Sequence, residues 1–162
     1  MQPVLIFQLL ILVAVANATP VFAKKILGRA LSWPLDGGAV FADGQPLLGA
    51  SKTIRGVLLS ALVTPLAAVL IGLNGPIGLV VALSAMVGDL ASSFVKRRMG
   101  LPPSSMAIGL DQIPEALFPL LAVRLLLPVT IVEVLVGTAI FFAGSLVVSR
   151  ILFTLGVRDE PY

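Results

Sequence analysis

Long apolar stretches constrain this chain more than any other feature of its sequence. A membrane-spanning helix needs about 20 mostly apolar residues, within a range of about 17–25. Five stretches approach or meet that length, namely Pro3–Phe22, Val57–Leu73, Ile77–Val95, Ile113–Leu127 and Val129–Phe153. Only 12% of the residues are charged, whereas soluble domains carry about 25%. The sequence therefore predicts an all-α integral membrane protein, with five transmembrane helices in a single domain over residues 1–162.

Cysteine and histidine are both absent from the sequence. Without Cys the chain can form neither a disulfide nor a thiolate metal site. Without His it lacks the commonest base near neutral pH and the commonest transition-metal ligand. Any chemistry must therefore rest on carboxylates, amines, guanidiniums, hydroxyls and hard cations.

Ten of the eleven Lys and Arg residues fall on one side of the five predicted spans, with Arg124 as the exception. By the positive-inside rule, the two long loops and the C-terminus are cytoplasmic and the N-terminus lies outside. A cleaved secretory signal is the alternative for the first span, because Ala16-Asn17-Ala18 imitates a cleavage site. We prefer a retained span, since no basic segment precedes the apolar stretch.

Polar and turn-forming residues gather at the predicted cytoplasmic ends of the spans. Asn17 and Pro20 predict that the first helix is interrupted where it meets polar surroundings. In the loop that follows, Asp43-Gly44 lies between short apolar runs and predicts a hairpin turn. Asp36-Gly37-Gly38 predicts a second sharp turn in the same loop.

Ser51 is the predicted N-cap of the second span, with Lys52 and Arg55 in its first turn. Cations at a helix N-terminus oppose the helix dipole unless an anion is bound there. A phosphate would use both the free backbone N–H groups and the two cations. Anchoring to anionic lipid head groups explains the same pattern equally well. The glycine spacing of a Walker motif is absent, so that interpretation is excluded.

The stretch GDLASSFVKRRMG, residues 88–100, ends the third span. In a helix, Asp89, Ser92, Ser93 and Lys96 fall on one stripe, at spacings of three, four and seven residues. Asp89 lies about two turns inside the apolar boundary, where an unpaired carboxylate is costly. This position predicts either a binding site or an ion pair with Lys96 or a neighbouring helix.

Asp111 comes shortly before Pro114 at the start of the fourth span, and Glu115 follows one turn later. If the third and fourth spans are neighbours, Asp89 and Asp111 approach each other at the cytoplasmic surface. Mg²⁺ is typically bound by one or two carboxylates together with substrate phosphates and water. The pair therefore predicts a Mg²⁺ site, although simple helix capping by Asp111 is the structural alternative.

Four pieces of the sequence resemble the CDP-archaeol synthases, an archaeal lipid enzyme family distantly similar to the CDP-diacylglycerol synthases. The pieces are ANATPV at 16–21, LDGGAVFADGQPLLGASKTIRG at 35–56, GDLASSFVKRRMG at 88–100 and LDQ at 110–112. They cover both predicted cytoplasmic segments. Five spans also agree with the family.

The resemblance implies a cytidylyltransferase that converts CTP and 2,3-bis-O-(geranylgeranyl)-glycerol 1-phosphate into CDP-activated lipid and pyrophosphate. It implies that Asp89 and Asp111 hold Mg²⁺, and that Lys52 and Lys96 take part in catalysis. The implied phosphate contacts are Lys52, Arg55, Lys96 and Arg97. We expect further substrate-binding positions at Asn17, Asp36, Asp43, Ser92, Ser93 and Gln112. The implied partners are both substrates and the membrane, with a second copy of the chain as a candidate and no nucleic acid.

Two other functions compete with this one. A phosphotransferase that consumes a CDP-lipid would carry Ala-Arg two residues after an Asp-Gly pair, and Asp36-Gly37 lacks it. A small transporter would place charges near the bilayer midplane in repeated halves, whereas the charges here gather at one edge. A membrane scaffold leaves the aspartates without a role.

Overall fold

A computed structural model describes residues 2–154, which form five α-helices. They are α1 (Pro3–Leu27), α2 (Ile54–Leu70), α3 (Gly75–Arg98), α4 (Gln112–Val123) and α5 (Ile131–Thr154). By length and composition α1, α3 and α5 can each cross a membrane, whereas α2 and α4 are shorter apolar helices. The all-α prediction and the five helices are confirmed in these residues. Arg158, counted among the predicted cytoplasmic cations, lies outside them.

Helix α3 packs against α1, α2 and α4, while α5 lies mainly against α4. The buried apolar core draws on all five helices and includes Leu9, Leu12, Val13, Ala68, Val81 and Leu120. Small residues permit close helix contacts, as membrane bundles require. A Cβ atom on Gly78 would lie 2.7 Å from Pro65 Cα, so α3 and α2 could not approach so closely with a larger residue there.

Helix α1 continues through Pro20, so the predicted interruption is wrong. Pro20 has no N–H, which leaves the carbonyl of Ala16 without its usual helical donor. The Ser60 hydroxyl of α2 donates to that carbonyl at 3.0 Å. The neighbouring helix thus satisfies the freed backbone group, and the helix does not break.

Helix α2 begins later than its predicted cap. Its N-cap is Thr53, whose hydroxyl accepts a hydrogen bond from Gly56 N–H, so the prediction of Ser51 is wrong. Thr53 has extended backbone and forms an isolated antiparallel bridge with Pro34, whereas Ser51 lies in the turn closed by the hydrogen bond from Lys52 N–H to Gly49 O. Lys52 therefore precedes the helix, contrary to the prediction, while Arg55 lies in its first turn as expected.

Helix α4 ends at Val123, four residues before the predicted end at Leu127. Its twelve residues extend over about 18 Å, less than the roughly 30 Å hydrocarbon core of a bilayer. Residues 124–127 form a turn, because Pro128 disfavours helical backbone in the residue before it.

The predicted turns of the loop between α1 and α2 are confirmed. Val40 and Pro46 form a single antiparallel bridge, and Phe41 N–H donates to Gln45 O at 2.8 Å across the turn at Asp43-Gly44. Gly37 and Gly38 adopt φ values of 60° and 81°, which favour glycine. The hairpin consists of isolated bridges and contains no extended strand.

Candidate functional site

Asp89 of α3 forms an ion pair with Lys52, from the segment just before α2. The Lys52 ammonium lies 2.6 Å from Asp89 Oδ1 and 2.7 Å from Oδ2. The side chains of both residues are 19% exposed. Lys52 is held in place because its carbonyl accepts a hydrogen bond from Leu35 N–H and the next residue, Thr53, bridges to Pro34. The ion-pair alternative for Asp89 is therefore confirmed, although the partner is Lys52 from the segment before α2 and not Lys96.

Asp111, immediately before α4, forms a second ion pair with Lys96 of α3. The Lys96 ammonium lies 2.6 Å from Asp111 Oδ1, with the two side chains 7% and 14% exposed. Lys96 also donates to Ser105 O, and Asp111 Oδ2 accepts from Ala107 N–H. Asp111 does not cap α4 with its side chain. Asp89 and Asp111, the two predicted metal ligands, are therefore each paired with a lysine.

A glycine in α3 allows α3 and α4 to pack closely at the level of the carboxyl groups. A Cβ atom on Gly88 would overlap the Pro114 carbonyl group and lie 3.0 Å from Glu115 N. Only a residue without a side chain allows α3 and α4 to touch at this level. The contact places Asp89 of α3 beside the first turn of α4. Sequence spacing alone gave no sign of this close approach.

Glu115 supplies a third carboxyl group that sequence reasoning left without a role. Its carboxyl group lies close enough to Asp89, Lys52 and Asp111 to interact with all three electrostatically. Asp89 and Asp111 thus both lie in the surroundings of one residue of α4. The position of Glu115 one turn after Asp111 was the signal available in the sequence.

The predicted stripe on α3 faces the protein interior, with Ser92, Ser93 and Lys96 buried. Ser92 uses its hydroxyl within the helix, donating to Asp89 O at 2.9 Å. Gln112 is buried at the start of α4, where its Oε1 accepts from Gly109 N–H at 2.7 Å. These residues lie next to the ion pairs, but the hydrogen bonds of Ser92 and Gln112 serve local backbone.

The two predicted phosphate-binding arginines contact backbone carbonyls. Arg55 donates to Gly28 O and to Ala30 O, just after α1 ends. Arg97 donates to Pro102 O at 2.7 Å. The Nε atoms of both arginines are buried and have no partner among residues 2–154. Both guanidiniums are thus anchored by main chain, and Arg97 also lies within electrostatic range of Asp111.

The hairpin is fastened to α3 by Arg98, a residue to which the sequence analysis gave no individual role. Arg98 Nε lies 2.8 Å from Asp43 Oδ2, and its Nη2 donates to Pro46 O. The guanidinium also lies over the rings of Phe41 and Phe94, 4.8 and 4.9 Å from their centroids. Asp43, a predicted substrate-binding position, therefore has a structural partner.

Asp36 organises the other end of the same loop. Its carboxylate accepts hydrogen bonds from the N–H groups of Gly38, Leu48 and Gly49. Burial favours a raised pKa for Asp36, but these hydrogen bonds to the charged form outweigh it and hold the pKa below its ordinary value. The loop is thus folded around an ionised carboxylate.

Asn17 is the most conspicuous unpaired polar group of α1. Both of its side-chain polar atoms are buried and have no hydrogen-bond partner among the described residues. Leaving such a group unpaired costs about 1–3 kcal/mol. Unpaired buried groups of this kind are typical of positions that meet a ligand. The predicted site residue Asn17 therefore faces the interior but lacks a protein partner there.

No three acidic side chains in residues 2–154 form a ready-made metal cluster. Two carboxylates are nevertheless sufficient for Mg²⁺ when phosphates and water complete its oxygen shell. Asp111 Oδ1 is buried and, apart from its ion pair with Lys96, has no hydrogen-bond partner in the described residues. Asp89 and Asp111 therefore fit a hard divalent ion by donor type and by their common neighbour Glu115.

Comparisons with known proteins point to one family. Residues 74–162 match a family model described as CarS-like, CDP-archaeol synthase. The CDP-archaeol synthase of Thermofilum pendens is 34% identical over 154 residues, covering 91% of this chain and 76% of that protein. That of Sulfurisphaera tokodaii is 30% identical over 154 residues, covering 91% and 89%.

Some relatives are matched over a smaller share of their length. The CDP-archaeol synthase of Pyrococcus furiosus is 40% identical over 107 residues, which is 60% of that protein. A solved structure described as an intramembrane enzyme for archaeal membrane lipids biosynthesis superimposes with a TM-score of 0.74. It is 32% identical, and the match covers 87% of this chain and 90% of that one.

Proposed function

The chain belongs to the CDP-archaeol synthase family, and we propose that it makes CDP-activated archaeal ether lipid from CTP and 2,3-bis-O-(geranylgeranyl)-glycerol 1-phosphate. Family membership supplies the reaction class, that of a membrane cytidylyltransferase in archaeal lipid biosynthesis. The substrates and residue roles given below are our proposal.

One observation carries the assignment to particular residues. Carboxylates from α3 and from the start of α4 each form an ion pair with a lysine, and Glu115 of α4 lies within electrostatic range of both carboxylates. Charged side chains placed within a membrane bundle are costly and mark functional sites. All of them lie at the end of the bundle where α2 and α4 begin and α3 ends. We assign the reaction to this cluster.

The chemistry requires no histidine. An ionised oxygen of the lipid phosphate attacks the α-phosphorus of CTP and forms a new P–O bond. The bond from the α-phosphorus to the oxygen that bridges it to the β-phosphorus breaks, and pyrophosphate leaves with the electron pair. Because the attacking oxygen is already ionised near pH 7, no general base is needed. The task of the protein is positioning and charge neutralisation.

Asp89 and Asp111 are the side chains we assign to Mg²⁺, and Glu115 lies beside them. When bound, the ion would neutralise phosphate oxygens and orient them. Lys52 and Lys96 lie nearest to the carboxylates and are assigned to the phosphates. Arg55 and Arg97 are assigned supporting roles, because backbone carbonyls already hold their guanidiniums.

Six further residues are proposed as substrate contacts. They are Asn17, Asp36, Asp43, Ser92, Ser93 and Gln112. Asn17 has the strongest support, since its amide is buried and unpaired in the described residues. Asp36 and Asp43 act by shaping the loop that carries Lys52, because their carboxylates bind loop N–H groups and Arg98.

The membrane arrangement follows the charges. We propose that all five helices lie in the bilayer, with the N-terminus outside and the cation-rich loops and the C-terminus in the cytoplasm. CTP then reaches the site from the cytosol while the lipid tails stay in the bilayer. The short helices α2 and α4 are tolerated because they pack against α3 on the side where the site lies. A homodimer remains a candidate assembly.

An apolar groove of about 460 Å³ between α1 and α2 suits an isoprenoid tail. Its lining includes Ala18, Phe22, Ile26, Leu27 and Leu59. Leu27 is next to Gly28, whose carbonyl binds Arg55, so the groove runs towards the proposed phosphate region. We expect Ala18→Phe to raise the KM for the lipid while leaving the KM for CTP unchanged. Equal changes in both constants would contradict this tail position.

The direct test incubates purified protein with Mg²⁺, each of the four nucleoside triphosphates and several lipid phosphates, and identifies products by mass. We expect CDP-lipid and pyrophosphate from CTP and the geranylgeranylated glycerol phosphate. Release of CMP from an added CDP-lipid would instead support the phosphotransferase. Solute flux into proteoliposomes without CTP consumption would support the transporter.

A further inference from the structure

A lysine neutralises each of the two carboxylates. Lys52, from the segment before α2, pairs with Asp89 of α3, and Lys96 of α3 pairs with Asp111, which precedes α4. The Lys52 ammonium contacts both oxygens of Asp89, at 2.6 and 2.7 Å. The Lys96 ammonium contacts one oxygen of Asp111, at 2.6 Å. The same two carboxylates are the ones that fit a divalent ion. An ion and a lysine therefore compete for each carboxylate.

The balance of charge decides which ligands the cluster can accept. The two ion pairs are neutral together, and their side chains are only 7–19% exposed. A divalent ion alone would leave two displaced ammonium groups in a partly desolvated site, which is costly. A nucleotide triphosphate alone would bring several negative charges towards the carboxylates. The ion and the triphosphate together give the carboxylates a cation and the displaced ammonium groups an anion.

An exchange of partners requires side chains that can move away from the carboxylates, and the two lysines meet this requirement better than the arginines do. A lysine ammonium is a point charge on a flexible four-carbon stem, whereas a guanidinium is a planar group with fixed donor geometry. Lys52 and Lys96 hold the carboxylates, whereas Arg55 and Arg97 are held by the carbonyls of Gly28 and Pro102. The exchangeable contacts are thus made by lysine and the fixed ones by arginine.

We propose that Lys52 and Lys96 are exchangeable counter-ions, so that the site takes a divalent ion and a nucleotide triphosphate as a pair and rejects the ion alone. In the ligand-free protein the lysines occupy Asp89 and Asp111. On binding, the ammonium groups transfer to the phosphates and free the carboxylates. Each ligand then strengthens binding of the other by the same factor. This inference rests on the proposed function.

Mn²⁺ binding, followed by electron paramagnetic resonance on purified protein, tests the exchange, because Mn²⁺ takes the same oxygen ligands as Mg²⁺. Without nucleotide, we expect Lys52→Gln and Lys96→Gln each to bind Mn²⁺ about 10-fold more tightly than wild type, while losing turnover. If the lysine were only structural, replacing it would lower both the affinity for Mn²⁺ and the turnover. Lys25→Gln, on the exposed end of α1, is the matched control and should change neither.

The wild-type protein should bind Mn²⁺ about 10-fold more tightly in the presence of a CTP analogue that cannot release pyrophosphate. Mn²⁺ affinity in both lysine variants no higher than in wild type would overturn the exchange. Should the glutamine variants fail to fold, Lys52→Arg gives a second test, since a bulkier cation that stays on Asp89 should weaken nucleotide-dependent Mn²⁺ binding. Unchanged binding in that variant would also overturn it.

These outcomes are separable from failure of the proposed function. A preparation that makes CDP-lipid from CTP, but whose lysine variants bind Mn²⁺ as wild type does, contradicts the exchange alone. A preparation that makes no nucleotide-linked lipid from any nucleoside triphosphate contradicts the proposed function.

Discussion

Buried carboxylates occur at two ends of this bundle, and they are held in different ways. Glu133, in the first turn of α5, is 2% exposed and accepts hydrogen bonds from Gln2 N–H and from the N–H and hydroxyl of Thr130. Asp89 and Asp111 instead face lysine ammonium groups. Glu133 lies in the first turn of α5, where backbone N–H groups bind it and the helix N-terminus favours negative charge.

The different partners indicate that Glu133 stabilises the fold, whereas Asp89 and Asp111 are available for chemistry. Backbone N–H groups cannot leave Glu133 unless the main chain moves. A lysine side chain can leave Asp89 by rotating about its own bonds. We therefore expect changes at Glu133 to alter the free energy of unfolding, and changes at the paired aspartates to alter turnover.

The largest expected effect comes from the aspartates. Asp89→Asn and Asp111→Asn should each lower kcat for CDP-lipid formation by about 100-fold or more, because the charge that holds the ion is lost. Because each variant leaves a lysine of the site without its carboxylate, some loss of stability is expected as well, and turnover should fall much further than the folded fraction measured by thermal unfolding. Wild-type turnover in either variant would remove that residue from the metal site.

The contact between α3 and α4 can be broken without touching any charged group. In Gly88→Ala, the added methyl group overlaps the Pro114 carbonyl and must push the helices apart. A displacement near 1 Å at a reacting centre can cost about 100-fold, so we expect kcat to fall by roughly 10–100-fold. Steady-state assays with both substrates at saturation measure this loss.

Gly144→Ala in α5 is the matched control, since a Cβ atom there meets nothing within 4 Å. It should keep wild-type turnover and gain slightly in helix stability. Equal losses in the Gly88 and Gly144 variants would show that the close approach of α3 and α4 has no special importance.

Glu133→Gln should produce the opposite pattern from the aspartate variants. Hydrogen bonds to a charged group contribute about 1.5–3 kcal/mol each, and the amide retains only part of them. We expect a lower unfolding temperature in detergent with kcat and both KM values unchanged. A loss of turnover greater than the loss of folded protein would mean that the two ends of the bundle are not functionally distinct.

The smallest effect concerns the loop around Asp36. Because the folded pKa of Asp36 lies below its ordinary value, its contribution to stability is complete above the unfolded pKa and is lost as pH falls through the folded pKa. Limited proteolysis between pH 6 and 3 should show wild-type loop cleavage rising at the acid end. In Asp36→Asn the cleavage rate should be higher at pH 6 and nearly flat with pH.

Most of the helices could be predicted from the sequence because apolar length is a strong signal. Their ends were less predictable. The break expected at Pro20 does not occur because the Ser60 hydroxyl donates to the freed carbonyl of Ala16. Ser60 and Ala16 are 44 residues apart in sequence. Thr53 replaces Ser51 as the cap because Thr53 is fixed in extended backbone by its bridge to Pro34, while Ser51 lies in a turn. Both depend on partners that sequence spacing cannot identify.

The same limit applies to the candidate site. The acidic and basic residues could be selected from their position at the span ends, but that the stripe on α3 faces the interior is known only from the structure. Their pairing could not be predicted from the sequence, because Lys52 and Asp89 are 37 residues apart and meet only in the folded bundle. Glu115 was overlooked because its importance depends on the close contact at Gly88, which a sequence does not display.

The central claim is that carboxylates from two adjacent helices jointly hold a divalent ion against a nucleotide. Its most direct test is a structure of the protein with Mn²⁺ and a CTP analogue, in which anomalous scattering locates the ion. The account predicts one Mn²⁺ bound at about 2 Å to carboxylate oxygens of both Asp89 and Asp111 and to phosphate oxygens. An ion that contacts only one of these residues, or neither, would contradict it.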